Sequence, residues 1–524
     1  MSDAYSLFLI LPAAILLALI WLPNTWVSSR VRSFRQFVAL LAGLQFAVAT
    51  SFTVAHAAGW ISLIHKTLAS LSSELPIAVT VYYDGVAGLM LTLVSFVGWV
   101  ICRYSIRYLD GEATQGRYFR WTAFTIGSVS LMVISGNLLM FIAMWIMTSL
   151  GLHQLLMHYG DRPAARRAAW TKFTISRLGD AALIAAMAII YSQFKTMDFA
   201  ELFAAAGSLT SVSPAMQVAG FLLAAGAVTK SAQFPFHTWL PQTMETPTPV
   251  SALMHAGIVN AGGYLIIRTS PLISLTPWAM TTLAIFGGVT ACFAAVVMLT
   301  QTSVKKSLAY STIAQMGFMM LQCGLGAYTA AMLHILAHSL YKAHAFLSSG
   351  SVIAERAAML SLPSPSQSVA LTRLAIVGTI IVALLGVTFT LVGIDPLTKP
   401  GGLLLGGVLC MALTHWVGQV MRSGGNSLLV RAMVIAGVLC LAYSASFVAV
   451  DKIIAESLPD SSAPQLLWLV AAIVLTGFGG MFALQSALSS GNPSTTLAKW
   501  HVHASNGFYV ENALRGVFQP LLNS

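Results

Sequence analysis

The sequence predicts an all-α polytopic membrane protein with about 14 to 16 transmembrane helices, and three observations carry that expectation. Of its 524 residues, 57% are hydrophobic and only 8% charged, where a soluble domain carries roughly 25% charged residues. Apolar runs of about 20 residues, enough to cross a ~30 Å hydrocarbon core, recur along nearly the whole chain. Fifteen are centred near residues 13, 46, 92, 128, 147, 182, 223, 260, 289, 315, 339, 382, 411, 439 and 477. The basic residues are also sorted by loop: nineteen of the 27 Lys and Arg fall in one set of alternate loops, five in the other and three inside spans.

The first run has no basic region before it and no small-residue cleavage site after it, which predicts a retained span rather than a signal peptide. Cytoplasmic loops collect Lys and Arg, so the sorting predicts an amino terminus outside, a carboxyl terminus in the cytoplasm and an odd helix count. The inside set includes Arg162, Arg166, Arg167 and Lys172; the outside set is Lys66, Lys195, Arg268, Lys399 and Lys452. The same sorting accounts for the net charge of +11. No basic patch is interleaved with exposed aromatics, which argues against nucleic acid as a partner. The polar stretches 57–79, 103–120, 193–213 and 354–370 are too short for a core of their own and are predicted to be connectors. The tail from about residue 490, "AKWHVHASNGFYVENALRGVF", mixes aromatics with charge; it suits an interfacial helix or a docking segment, with a frayed terminus as the alternative. Five dispersed cysteines without a CxxC pair are predicted to be small core residues.

A charged side chain at membrane depth costs at least ~2.5 kcal/mol, so such groups are functional candidates. Arg177 and Asp180 are three apart in "SRLGD", on one helix face where they can pair. Lys230 lies where Pro235 and Pro241 must interrupt its helix. Glu245 follows the break, placed either to gate or balance Lys230 or to cap the next helix. His255 comes in the next span. In "LHILAHSLYKAHAF", His334, His338 and Lys342 are spaced i, i+4, i+8, which aligns them over ~12 Å of one helix, and His344 follows. Histidine titrates near neutral pH and desolvation can bring a lysine toward that range, so such a row can pass protons through intervening water. The alternatives are satisfied core histidines, or zinc, which a row with a lysine and no nearby carboxylate suits poorly. No Walker A sequence, GxGxxG after a strand, CxxCH or cluster-binding cysteine set is present, so no cofactor is expected in this chain.

The segment "KSAQFPFHTWLPQTMETPTPVSALMHAGIVNAGGYLIIR", with "KKSLAYSTIAQMGFM", "YYDGVAGLM" and "NGFY", closely resembles the antiporter-like membrane subunits of respiratory complex I and of Mrp-type cation/proton antiporters. The resemblance implies inverted repeats with interrupted helices, here N-terminal helices over 1–110, repeats over 111–270 and 271–425, C-terminal helices over 426–490 and a cytoplasmic or interfacial tail over 491–524. It further implies a hydrated proton path lined by Lys230, His255, His334, His338 and Lys342, supported by Arg177 and Asp180, with Glu245 and His344 nearby. Three features depart from the pattern. Ile146 follows Trp145 where the family usually has the glutamate that pairs with the lysine. The family's "FFSKDE" is absent, with only Asp395 and Lys399 of "DPLTKP" in that region. The stretch after residue 490 is too short for the long lateral helix of the largest complex I subunit.

With these departures the chain is most similar to the membrane subunit of DAB-type inorganic-carbon accumulation systems, the DabB type. That implies a bacterial inner-membrane protein, a transport subunit rather than an enzyme, whose partner is a large cytoplasmic zinc protein resembling β-carbonic anhydrases (DabA type). A complex I or Mrp subunit is the close alternative, and an inert anchor for a peripheral enzyme is the distant one.

Overall fold

The computed structural model describes residues 2–70, 78–209, 211–350, 371–394, 400–422, 426–459, 465–488 and 495–514. Asp395 and Lys399 lie outside them.

The N-terminal part contains α1 (Ser2–Ala18), α2 (Asn24–Ser29), α3 (Val31–Ala57), α4 (Gly85–Tyr108) and α5 (Gln115–Val133). It continues with α6 (Leu138–Leu156), α7 (Pro163–Phe194), α8 (Phe199–Gly207) and α9 (Pro214–Lys230). An interrupted stretch follows: α10 (Trp239–Gln242), α11 (Thr248–Ala256), α12 (Ala261–Arg268) and α13 (Ser270–Ile273). The remainder is α14 (Pro277–Thr300), α15 (Val304–Gly324), α16 (Tyr328–Leu347), α17 (Leu371–Val392), α18 (Pro400–Arg422), α19 (Asn426–Ile454), α20 (Leu467–Leu488) and α21 (Thr495–Ser505). Ten of the described helical segments are long and apolar enough to cross a membrane, α11 and α12 together forming one of them. The expected centres at 128, 223, 315, 339 and 411 also fall on helices (α5, α9, α15, α16, α18), which are shorter or less apolar.

Helix starts follow local chemistry. Asp84, Asn137 and Ser213 each accept a hydrogen bond from a backbone N–H three residues on, which satisfies a donor the helix leaves open. Pro163 and Pro214 occupy first turns, where their missing N–H is not needed. Gly326, at φ +70°, makes the turn between α15 and α16. One feature is not helical: within the expected connector 57–79, Ile64–Ser70 (β1) pairs antiparallel with Ala78–Tyr83 (β2), Ile64 opposite Tyr83.

One continuous apolar core runs from Leu9 to Ile454, and a second cluster holds α17, α18 and α19 together. Small residues let helices meet backbone to backbone. A side chain at Gly287 of α14 would stand 2.3 Å from the Leu321 nitrogen of α15, and one at Gly317 would stand 2.5 Å from the Ala291 nitrogen. The tail helix α21 docks on the same chain: Gln301 Nε2 donates to the Ser505 carbonyl, and Phe508 packs on Phe293.

Candidate functional site

Helix α9 ends at Lys230, and the chain turns through residues 231–235 before resuming as short helical pieces. Lys230 is 5% exposed. Its Nζ lies 3.3 Å from the Trp145 carbonyl and 4.4 Å from the Trp145 ring centroid, a cation–π position. The Trp145 indole N–H donates to Asp180 Oδ1 at 3.1 Å. The other carboxylate oxygen is 2.6 Å from Arg177 Nη2, an ion pair rather than an aligned hydrogen bond. Trp145 therefore joins Lys230 to Asp180, while Ile146, at the position where a glutamate was expected, is half-buried. Close approach of α7 and α9 depends on Gly179, where a side chain would meet Thr229 Oγ1 at 2.2 Å.

The second group lies between α11, α15 and α16. Lys342 Nζ donates to Ser311 Oγ at 2.7 Å. His338 bonds the Gln315 side chain through Nδ1 and the His255 carbonyl through Nε2 at 3.1 Å. His334 Nδ1 is 2.9 Å from Gln322 Oε1, and its ring centroid is 6.1 Å from that of His338. His255 bonds Thr312 Oγ1 through Nδ1 at 3.1 Å and stacks on Phe346, while its buried Nε2 has no protein partner. The two helices run antiparallel, so Ser311, Gln315 and Gln322 of α15 face Lys342, His338 and His334 in turn. Each ionisable group is held by a neutral polar one, which orients it without fixing its charge. His334, His338 and Lys342 sit on an unbroken helix, whereas the stretch after Lys230, which includes His255, is interrupted.

Two bonds connect the groups. Ser231 Oγ donates to the Val259 carbonyl, and Asn260 Nδ2 donates to Ser339 Oγ, both at 2.7 Å.

Several positions differ from expectation. Glu245 caps no helix, since Pro247 precedes α11 without a side-chain cap; it pairs with Arg162 at 3.0 Å in a largely exposed bridge. His344 is exposed, because it points about 200° around α16 from Lys342. Lys172, grouped with a loop, is 1% exposed inside α7, and Arg268 is buried in α12 with both Nη atoms 2.8 Å from Asp84. Removing one residue from each loop set leaves the charge asymmetry intact. Sequence reasoning missed Lys172, the Asp84–Arg268 pair and the α15 partners. The partners' signal was present in the apolar context of Ser311, Gln315 and Gln322.

Residues 135–422 match the model of the family described as "NADH:quinone oxidoreductase/Mrp antiporter, TM", and residues 70–119 match the complex I chain 5 N-terminal model. The chain belongs to this NADH:quinone oxidoreductase/Mrp antiporter family. One similar protein is a "Probable inorganic carbon transporter subunit DabB2" of Halothiobacillus neapolitanus, 44% identical over 66% of this chain and 63% of that protein. Another is NADH-quinone oxidoreductase subunit L of Escherichia coli, 39% identical over 52% of this chain and 44% of that one. The chain spans less than two thirds of the length of the curated relatives it matches. Among solved structures, a chain of the Mrp complex from Dietzia sp. superposes with TM-score 0.57 at 23% identity, over 97% of this chain and 56% of that one. One of Thermus thermophilus complex I gives 0.56 at 19%, over 94% and 98%. Both share the fold of this antiporter-family chain, a predominantly helical polytopic membrane protein.

Proposed function

We propose that the chain is the proton-conducting membrane subunit of an energy-coupled inorganic-carbon uptake complex in a bacterial inner membrane. Its partner is a cytoplasmic zinc protein resembling β-carbonic anhydrases (DabA type), which carries the catalysis and the zinc; this chain supplies the driving ion flow. The observation that carries the reading is the run of buried ionisable groups from Asp180 and Lys230 to His255, His338 and Lys342, linked by neutral side chains such as Trp145 and Asn260. An inert anchor has no reason to bear the cost of such groups. The carbon substrate is favoured by relatives 44% and 45% identical that are described as inorganic carbon transporter subunits.

In this reading Lys230 takes up and releases a proton beside Asp180, and the α16 row passes it through water between the rings. A subunit of a quinone oxidoreductase or Mrp antiporter is the second reading, supported by the 39% identity to subunit L. Purification of the complex from its native membrane separates the two. Recovery with one large zinc-containing protein is expected; recovery with a set of flavin and iron–sulfur subunits, or with several small membrane subunits, overturns the carbon reading.

A further inference from the structure

We propose that the seam between α6 and α7 is a second proton route to Lys230, with Lys172 as the group that takes up and releases the proton. This rests on the proposed function and adds to it a route that starts at the loop 157–162.

Trp145, Ser149 and His153 recur at i, i+4, i+8 on α6; Lys172, Ser176 and Asp180 recur at the same spacing on α7, and all six are buried. Each row covers ~12 Å of helix. The antiparallel pairing is specific at three levels. His153 Nδ1 lies 3.2 Å from the Ala169 carbonyl, Lys172 Nζ donates to the carbonyl and hydroxyl oxygens of Ser149 at 2.8 and 2.7 Å, and Trp145 Nε1 donates to Asp180 at 3.1 Å. The seam thus leads from one turn inside the end of α6 to the carboxylate beside Lys230.

The chemistry at Lys172 suits a carrier. Among the described residues no carboxylate lies within ion-pair distance of it, and the nearby carboxylate, Asp180, is paired with Arg177. A buried ammonium needs partners for its charge and its protons, and Ser149 supplies two neutral acceptors. Those two acceptors satisfy both N–H bonds of the neutral amine and leave its lone pair open; in the ammonium they leave the third N–H open. His153 donates from Nδ1 to the Ala169 carbonyl, which leaves its Nε2 as an acceptor. A proton arriving from the loop end adds to the Lys172 amine. The resulting ammonium releases a proton past the Ser176 hydroxyl toward Asp180 and Lys230 and returns to the amine. No bond other than N–H or O–H is made or broken.

A lysine that merely stitches α6 to α7 would be replaceable by another cation, and this decides the test. Proton flux is measured in inverted membrane vesicles containing the intact complex, with its amount quantified for each variant. Lys172→Met and Lys172→Arg are each expected to lose flux by about tenfold or more, because arginine does not give up its proton, whereas Lys172→His should keep about a third. Wild-type flux in Lys172→Arg, or Lys172→His no better than Lys172→Met, overturns the proposal. If the Lys172 variants do not accumulate, Ser149→Ala decides: a loss of about threefold or more is expected, and unchanged flux overturns the route. Lys230→Ala in the same vesicles tests the proposed function by itself. Loss of flux there beside wild-type flux in Lys172→Arg removes only the second route.

Discussion

Asp84 and Asp180 are both paired with arginine, and their surroundings set different costs. Asp84 accepts from both Nη atoms of Arg268 and from the Ala87 backbone N–H, with both side chains almost fully buried. Breaking such a pair on one side costs about 3–5 kcal/mol, chiefly because the other charge stays buried. Arg177 is 34% exposed and lies over the Phe173 ring, while Asp180 is 6% exposed. Asp180→Asn is therefore expected to cost less, roughly 1–2 kcal/mol, because Arg177 is only partly enclosed by the chain and keeps its place over the Phe173 ring. Thermal unfolding of the detergent-purified protein should rank Asp84→Asn below Asp180→Asn, and the reverse order would contradict the assignment of the buried pair. Neither Asp84 nor Arg268 was legible as a pair, since they are far apart in sequence and Arg268 ends an apolar run as loop arginines do. Lys172 was missed for a similar reason: "RRAAWTK" looks like a loop, but α7 has 32 residues and carries Lys172 into the core while Arg166 and Arg167 stay exposed.

His158, in the turn after α6, belongs to the residue scale as well. It lies 3.3 Å from Glu112 Oε2 and 3.2 Å from Thr114 Oγ1, and burial pushes its pKa below 6.5, with Glu112 acting in the opposite direction. A histidine whose folded pKa is depressed binds protons more readily once released. The buried placement of the neutral ring is thus fully stabilising above about pH 6.5 and loses stability as pH falls toward the folded value. Hydrogen exchange of residues 109–116, corrected for intrinsic rates, should show lower protection at pH 5 than at pH 7.5. His158→Gln should abolish that difference, and its persistence would assign the effect elsewhere.

At the scale of elements, the prolines after Lys230 made the interruption legible, and the i, i+4, i+8 spacing made the α16 row legible. The facing residues of α15 were not, because their register depends on a turn at Gly326 and on backbone contact at Gly287 and Gly317. That contact is testable. Gly287→Val would drive a side chain into the Leu321 backbone and is expected to cost about 1–3 kcal/mol. Since the register aligns α15 with α16, it should reduce ion flux even where the protein accumulates. Normal accumulation with normal flux would show that the helices tolerate separation. The hairpin escaped notice because hydropathy over 57–79 reads as a connector, although "VTVYY" is the β-branched and aromatic composition of a strand.

At the scale of the molecule, fourteen of the fifteen apolar centres fall on α-helices and the one near 260 on the short turn that joins α11 to α12, because a membrane core admits only apolar spans whose backbone bonds are satisfied internally. Orientation follows from loop charge and remains a proposal with a direct check. Reporter fusions after residue 70 should report outside, and fusions after residues 115 and 524 should report the cytoplasm; a cytoplasmic signal at 70 would reverse the topology. The central claim is that protons pass through Lys230. Its most direct measurement is inorganic-carbon-dependent growth in air of a carbonic-anhydrase-deficient host carrying the complex with Lys230→Ala, with assembly verified in the same membranes. Removing an intramembrane charge does not hinder insertion, so an assembled complex that fails to support growth is the predicted result. Full growth with an assembled Lys230→Ala complex would contradict the proton path and leave the chain an anchor.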